Sequence, residues 1–433
     1  AAVDSLRTQF SWQPGTANQA ALWALNFSDL TYQWADKALA PTQGRISLLD
    51  KDEGHVARLI ADNVTLEPVA KTLVAFDSLP VVFRKALSTL NPSGQLADLQ
   101  VDYSLPTAKG KSVSPVFKLQ ANLNDVAVSA WRHGPAVSGI NGSIELTPSA
   151  GSIDFVSADM QLHFPRVFSR AWQFDRAEGM LHWFREGRTL WMNGEQFVMT
   201  GEVGDITGRF SSLTSKDGFE PRLSLLMGLE NSRLPDAMTF MPDKLLAPNV
   251  VQWLEQAFAQ GNVKRTRFVL EQRLKKGAPA ITKSLAMDVD AEQVDFSFHR
   301  DWPHLTEAGV NVRVIDQQVT VAATEARFYD LMLTDIAADY AIKRGASRLK
   351  ATAQVRGELK QAWQTLTDTP LQKMLFGLAN DFQLGGQMQG VLALDVPFSE
   401  LEKSNVDLDF STRNGRLNIP SLAVSANDIE GSF

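Results

Sequence analysis

The sequence predicts a mainly β protein built as a long, twisted antiparallel sheet with one apolar face and a few short helices. Three observations carry this. Apolar and polar residues alternate through most of the chain, as they do on a strand with one covered face. That alternation slips by one place at recurring points, as at a β-bulge. The order of helix, glycine and strands also repeats, as in a stacked array.

The elements follow in chain order. The first strand carries Leu6, Thr8, Phe10 and Trp12. Later strands alternate Leu99, Val101, Tyr103 and Leu105 with Gln100, Asp102 and Ser104, and Leu285, Met287 and Val289 with Ala286, Asp288 and Asp290. Such strands suit an antiparallel sheet wetted on one side. Three short helices are expected after prolines: Pro80 with Phe83, Leu87 and Leu90; Pro248 with Val250, Leu254 and Phe258; Pro370 with Leu371, Met374 and Leu378. Gly94, Gly261 and Gly386 follow them, each ahead of an alternating strand: Leu99 to Leu105, Phe268 to Leu274, and Leu392 to Phe398.

Phe27-Ser28-Asp29-Leu30, Leu123-Asn124-Asp125-Val126 and Ala291-Glu292-Gln293-Val294 each break the period of two and predict a bulge or tight kink. Return strands follow with Ile46 and Leu48, Ile144 and Leu146, and Val312 and Val314. A third strand holds Ala57 and Leu59, Ile153 and Phe155, and Val319 and Val321. Glu186-Gly187 and Asn193-Gly194 predict hairpin turns within a meander from Met180 to Phe210. The units expected are 1–76, a degenerate first module truncated at its start; 77–235 and 236–365; and 366–433, truncated at its end, all in one elongated sheet. A start without Met and incomplete outer units read as an excerpt of something longer.

Composition narrows the function. Hydrophobic residues at 44% and charged residues at 21% are the balance of a folded chain. A net charge of -7 argues against nucleic acid, whose phosphates need an extended basic surface. With no cysteine there is neither a disulfide nor a Cys-ligated metal, and the compartment is left open. No apolar run approaches the roughly 20 residues that span a bilayer, and Ala1 to Phe10 lack the layout of a signal peptide.

The search for catalytic chemistry yields little. Among His55, His133, His163, His182, His299 and His304 no pair has the i, i+4 spacing of a zinc-protease helix. His299 and His304 flank a turn at Trp302-Pro303 and read as hairpin-end residues in preference to metal ligands. Gly201, Gly204 and Gly208 have no following Lys-Ser or Lys-Thr, so turns explain them better than a phosphate loop. Asp102, Asp288 and Asp290 fall at polar-face positions. The basic run Lys264, Arg265, Arg267, Arg273, Lys275 and Lys276 is read as a charged edge or solvated face, with anionic headgroups as the other reading. No catalytic residue, metal or cofactor is expected.

The apolar stripe remains. Such a face is ordinarily a core covered by a second layer, yet three short helices are too little to cover a sheet of this length. Lipid is a suitable occupant, because each buried methylene contributes about 0.8 kcal/mol and an acyl chain on the order of 10 kcal/mol.

Leu234-Pro235, Met241-Pro242, Val250 to Phe258 with Trp253-Leu254, and Gly261-Asn262-Val263 resemble the recurring element of the large AsmA-like proteins of Gram-negative bacteria, the YhdP family. Val294-Asp295-Phe296, Trp302-Pro303-His304-Leu305, Val319 to Ala326, and Thr369-Pro370-Leu371 to Asp395-Val396-Pro397 fit the same pattern. The resemblance covers most of the chain, most specifically 235 to 400. It implies the periplasmic portion of an inner-membrane-anchored protein, a repeating β-groove that carries phospholipid towards the outer membrane, with the N-terminal anchor absent here.

The combined reading is a U-shaped apolar groove that passively shields phospholipid acyl chains. Its expected lining is Leu119, Leu123, Val126, Val128, Ile144, Leu146, Ile153 and Phe155, then Leu285, Met287, Val289, Val294, Phe296, Phe298, Val312, Val314, Val319 and Val321. Asp at Leu123 or Val294 is expected to hinder lipid passage more than folding. The alternatives are a non-catalytic envelope scaffold with a closed β core and a polysaccharide-active β-solenoid.

Overall fold

A computed structural model describes residues 3–15, 21–34, 37–38, 41–51, 54–75, 81–105, 117–131, 134–274, 283–298, 302–342, 346–369, 381–397, 399–400 and 403–433. The first strands are β1 (Val3–Pro14), β2 (Ala21–Trp34), the short β3 (Lys37–Ala38), β4 (Thr42–Lys51) and β5 (Gly54–Thr65). Helices α1 (Leu66–Ala75) and α2 (Val81–Leu90) precede β6 (Ser93–Leu105), β7 (Phe117–Val128), β8 (Ala136–Leu146), β9 (Ala150–His163), β10 (Trp172–Glu186), β11 (Thr189–Gly201), β12 (Gly204–Thr214) and β13 (Arg222–Arg233). Next come α3 (Leu234–Ala237), α4 (Pro248–Ala257), β14 (Phe258–Arg273), β15 (Lys283–Phe296), β16 (Leu305–Ile315), β17 (Gln318–Phe328), β18 (Leu331–Ala341) and β19 (Arg348–Glu358). Helix α5 (Leu359–Thr367), β20 (Gln383–Pro397), β21 (Asn405–Ile419) and β22 (Val424–Ser432) end the chain.

Two units result, Ala1–Glu202 with Thr207–Leu223, and Val203–Ile206 with Ser224–Phe433. In the first, β1 pairs with β2, β2 with β4, and each strand from β4 to β11 with the next, all antiparallel. In the second, β14 to β22 pair in the same successive way. Among the described residues no ladder joins β1 to β11 or β14 to β22, so neither unit closes into a barrel.

The bulges fall where the phase of the sequence breaks. Pairing registers shift between Phe27 and Leu30, Leu123 and Val126, and Ala291 and Val294. The third residue of each tetrapeptide is left-handed: Asp29 at φ 51°, Asp125 at 48° and Gln293 at 53°. Asp98, Asp159, Gln196, Asp335 and Asn414 take the same conformation in other strands. Asp and Asn tolerate it better than most residues, which is why these bulges are written largely in those two side chains.

Gly94, Gly261 and Gly386 have φ of 99°, 143° and 103°, and each lies against the bulge of the following strand. A Cβ on Gly94 would overlap the carbonyl oxygen of Asp125 and come within 2.8 Å of the Val126 Cα. One on Gly386 would meet the Asn414 oxygen at 2.7 Å, and one on Gly261 the Val294 Cα at 3.3 Å. Gly94→Ala is therefore expected to lose about 1–3 kcal/mol, through its strained φ and this overlap, in a urea unfolding titration.

Helices α2 and α4 occupy the places expected after Pro80 and Pro248. The helix expected after Pro370 lies outside the described residues, as do His133, His299, Lys275 and Lys276. The alternation did not disclose α1, α3 or α5. For α5 the signal was present in Glu358 and Gln361, which form a capping box.

The hairpin at Glu186-Gly187 forms, with Glu186 paired to Thr189 and Gly187 at φ 56°. Asn193-Gly194, expected as a second turn, is instead mid-strand: β11 runs through it, pairing His182 with Asn193 and Leu181 with Gly194. The turn comes at Glu202-Val203, between Gly201 and Gly204. Gly208 lies within β12.

Candidate apolar binding face

Residues directly opposite one another across a ladder project from the same face of a sheet, so the registers assemble the faces. In the first unit one continuous row runs Trp12, Leu25, Ile46, Leu59, Val101, Leu119, Leu146, Gly151, Trp183, Met192. The neighbouring row holds Ala121, Ile144, Ile153 and Leu181. In the second unit the rows are Phe268, Met287, Val314, Val319, Tyr340, Leu349, Val396, and Val289, Val312, Val321, Ala338, Ala351, Leu394, Val406.

Sheet phase thus places the expected lining residues of each unit's strands on one face: the bulges at Asp125 and Gln293 return Val126, Val128, Val294 and Phe296 to the side of Leu123 and Val289. Phe298 follows β15, its ring 6.3 Å from that of Phe296. Phase did not disclose depth. Leu123, Val126, Phe155 and Val294 are buried, and the other lining residues are half-buried.

Leu123 and Val126 belong to one buried cluster and Val294 to another, each packed against helices. Ala61, Leu96, Leu99, Ala121, Leu123 and Val126 pack together with Leu66 of α1 against them. Val263, Ala291, Val294, Ala308, Ala326, Leu333 and Val355 pack with Leu234 and Ala237 of α3 and Leu359 and Ala362 of α5. Beyond these clusters the rows open: Ile46 is 36% exposed, Tyr103 41% and Val406 40%. Sequence reasoning omitted Trp12, Leu25, Ile46, Leu59, Val101, Trp183, Leu349 and Leu394 from the lining. The alternation that runs through their own strands was the available signal.

The opposite face is ionic. Arg267, Asp288, Arg313, Thr320, Asp339, Lys350, Asp395 and Asn405 form a row next to the second apolar row, with charges of opposite sign adjacent. Arg313 lies 3.3 Å from Asp288, Arg265 2.6 Å from Asp290, and Lys264 2.6 Å from Glu292. The basic run is therefore largely a solvated face in cross-strand register with carboxylates. His304 Nδ1 lies 3.0 Å from Asp295.

Arg58 holds Asp102 through a fork of two 2.7 Å hydrogen bonds. Those bonds, against an opposing effect of burial and with a lesser contribution from the Arg58 charge, keep the Asp102 carboxyl below its ordinary range. A lowered folded pKa stabilises above the unfolded value and is lost as pH falls through the folded one. Asp102→Asn should cost about 1 kcal/mol at pH 7. Unfolding curves of wild type and variant should converge in acid, below the normal Asp range.

Among the described residues no three His, Asp or Glu side chains are placed to hold a metal ion. No described helix is long and apolar enough to cross a membrane. What the arrangement offers is area: an apolar row ten strands long in the first unit and two rows of seven strands in the second, partly open in front, with ion pairs behind those of the second unit.

These features define a class of protein, the repetitive open antiparallel sheet with an extended apolar face. Within that class the chain belongs to the YhdP protein family, whose family model matches residues 1–433. It is 21% identical over 351 residues to the intermembrane phospholipid transporter YhdP of Escherichia coli (strain K12), a match that covers 79% of this chain and 26% of that relative. The chain thus spans about a quarter of the length of the curated relative. No solved structure matches.

Proposed function

We propose that this chain is a segment of a bridge-like lipid-transfer protein whose apolar face shields phospholipid acyl chains during passive movement between the two membranes of a Gram-negative envelope. The observation that carries the proposal is the set of half-open apolar rows, ten strands long in the first unit and seven in the second, which lack any polar side chain that would arrest a sliding chain, apart from Thr266 and the Tyr340 hydroxyl. A single acyl chain laid along such a row gains on the order of 10 kcal/mol of transfer free energy, which is enough to hold it without a specific pocket. Phospholipid as cargo, a periplasmic location, attachment to the inner membrane and the absence of enzymatic chemistry belong to the same proposal. The name of the E. coli relative supports the cargo.

A second reading, a non-catalytic envelope scaffold with a closed core, draws on the two buried clusters. Native mass spectrometry of the purified chain, with lipid extraction, separates the two. Bound phospholipid supports the conduit. A lipid-free chain that also takes up none from vesicles of phosphatidylethanolamine and phosphatidylglycerol overturns it in favour of the scaffold.

A further inference from the structure

Side chains on a sheet ordinarily stand roughly perpendicular to it. Several aromatics on the apolar face of the first unit do not. The outer atoms of the Trp183 indole lie where a Cβ on Gly151, directly opposite on β9, would have to be. The Phe197 ring covers Gly179 in the same way, with Phe155 Cζ 3.2 Å from that Cβ position, and the rings of Phe210 and Phe197 both cover Gly194. The three phenylalanines are laid in sequence, Phe155 to Phe197 at 6.0 Å and Phe197 to Phe210 at 5.9 Å between centroids, the latter pair within 19° of parallel. None of these three glycines has a left-handed φ, so the backbone does not require glycine at any of them. The rings do.

We infer that Gly151, Gly179 and Gly194 are clearance-setting residues: by admitting the rings onto the backbone they keep Trp183, Phe155, Phe197 and Phe210 low, leaving room above the face for an acyl chain. A methyl group at any of the three lifts a ring off the neighbouring strand and into that space. The second unit keeps a low face by another means, with the small side chains of Ala291, Ala308, Ala323 and Ala353 at face positions. This inference rests on the reading of the face as an acyl-chain path.

The test uses the full 433-residue chain and a phosphatidylethanolamine with a fluorescent acyl chain, titrated by fluorescence alongside a urea unfolding curve. Gly179→Ala and Gly151→Ala are each expected to weaken binding by about tenfold, near 1.4 kcal/mol. The ring-trimmed doubles, Gly179→Ala with Phe197→Leu and Gly151→Ala with Trp183→Leu, are expected to recover most of the binding that the singles lose. Recovery of binding by trimming a ring is not what a purely structural glycine would produce. Singles that fold and bind like wild type overturn the inference while leaving the acyl-chain reading intact. If a single fails to fold, its double decides: a folded double that binds about tenfold or more below wild type overturns the inference, and one within about threefold of wild type supports it. A wild-type chain that binds no probe overturns both.

Discussion

Ile46→Asp in the first unit and Val312→Asp in the second are expected to strip bound phospholipid from the chain while leaving it folded. Both side chains lie within apolar rows, and neither belongs to a buried cluster. Ile46 is 36% exposed, so in the free protein a carboxylate there stays hydrated and costs little. Under an acyl chain the same carboxylate loses water without gaining a partner, a penalty of several kcal/mol and thus of at least about a hundredfold in affinity. Lipid extracted from equal amounts of wild type and variant, with thermal melts alongside, checks this. Unchanged lipid content in a folded variant would mean that lipid, if present, sits elsewhere.

Leu123→Asp and Val294→Asp are expected to behave in the opposite way and unfold their unit. Alternation alone makes them probes of lipid passage; their depth makes them probes of folding, because Leu123 is only 4% exposed and Val294 only 2%. Each lies inside a cluster at a bulge, where no water reaches a new carboxylate. The loss should be on the order of 3–5 kcal/mol, comparable to the whole stability of many domains. Circular dichroism melts and limited proteolysis would show it. A variant at Val294 that melts like wild type would show that the cluster around Ala291, Ala308 and Leu333 is looser than its packing indicates.

The contrast shows which part of this molecule is written locally. Alternation places a residue on one side of a sheet, and a slip of one place marks a bulge, so Asp29, Asp125 and Gln293 could be found by phase alone. Depth along the strand depends on what covers the face, and the covering helices are set by different rules. Helix α5 is announced by its capping box and α1 by Thr65 directly ahead of Leu66-Glu67-Pro68, signals that alternation does not carry. Asn193-Gly194 misled for a related reason. The pair is a strong hairpin signal taken alone, but Gly194 is there to receive two rings that arrive from Phe197 and Phe210. Local propensity cannot see the Phe210 ring contributed from β12, nor the Phe197 ring brought over Gly194 beyond the bulge at Gln196.

The ladder order has a consequence for how the molecule is made. Apart from β2 with β4, which skips only the two-residue β3, every described pairing joins strands that follow one another along the chain, and helices α1, α2 and α5 are inserted between strands that go on to pair. Each strand can therefore be added to a finished edge as soon as it is available, with loop-closure costs paid over short distances. Growth can proceed in one direction from either end, and loss of a terminal strand exposes a new edge without opening a hole. A chain of this kind can be lengthened by tandem duplication without redesigning what has already folded.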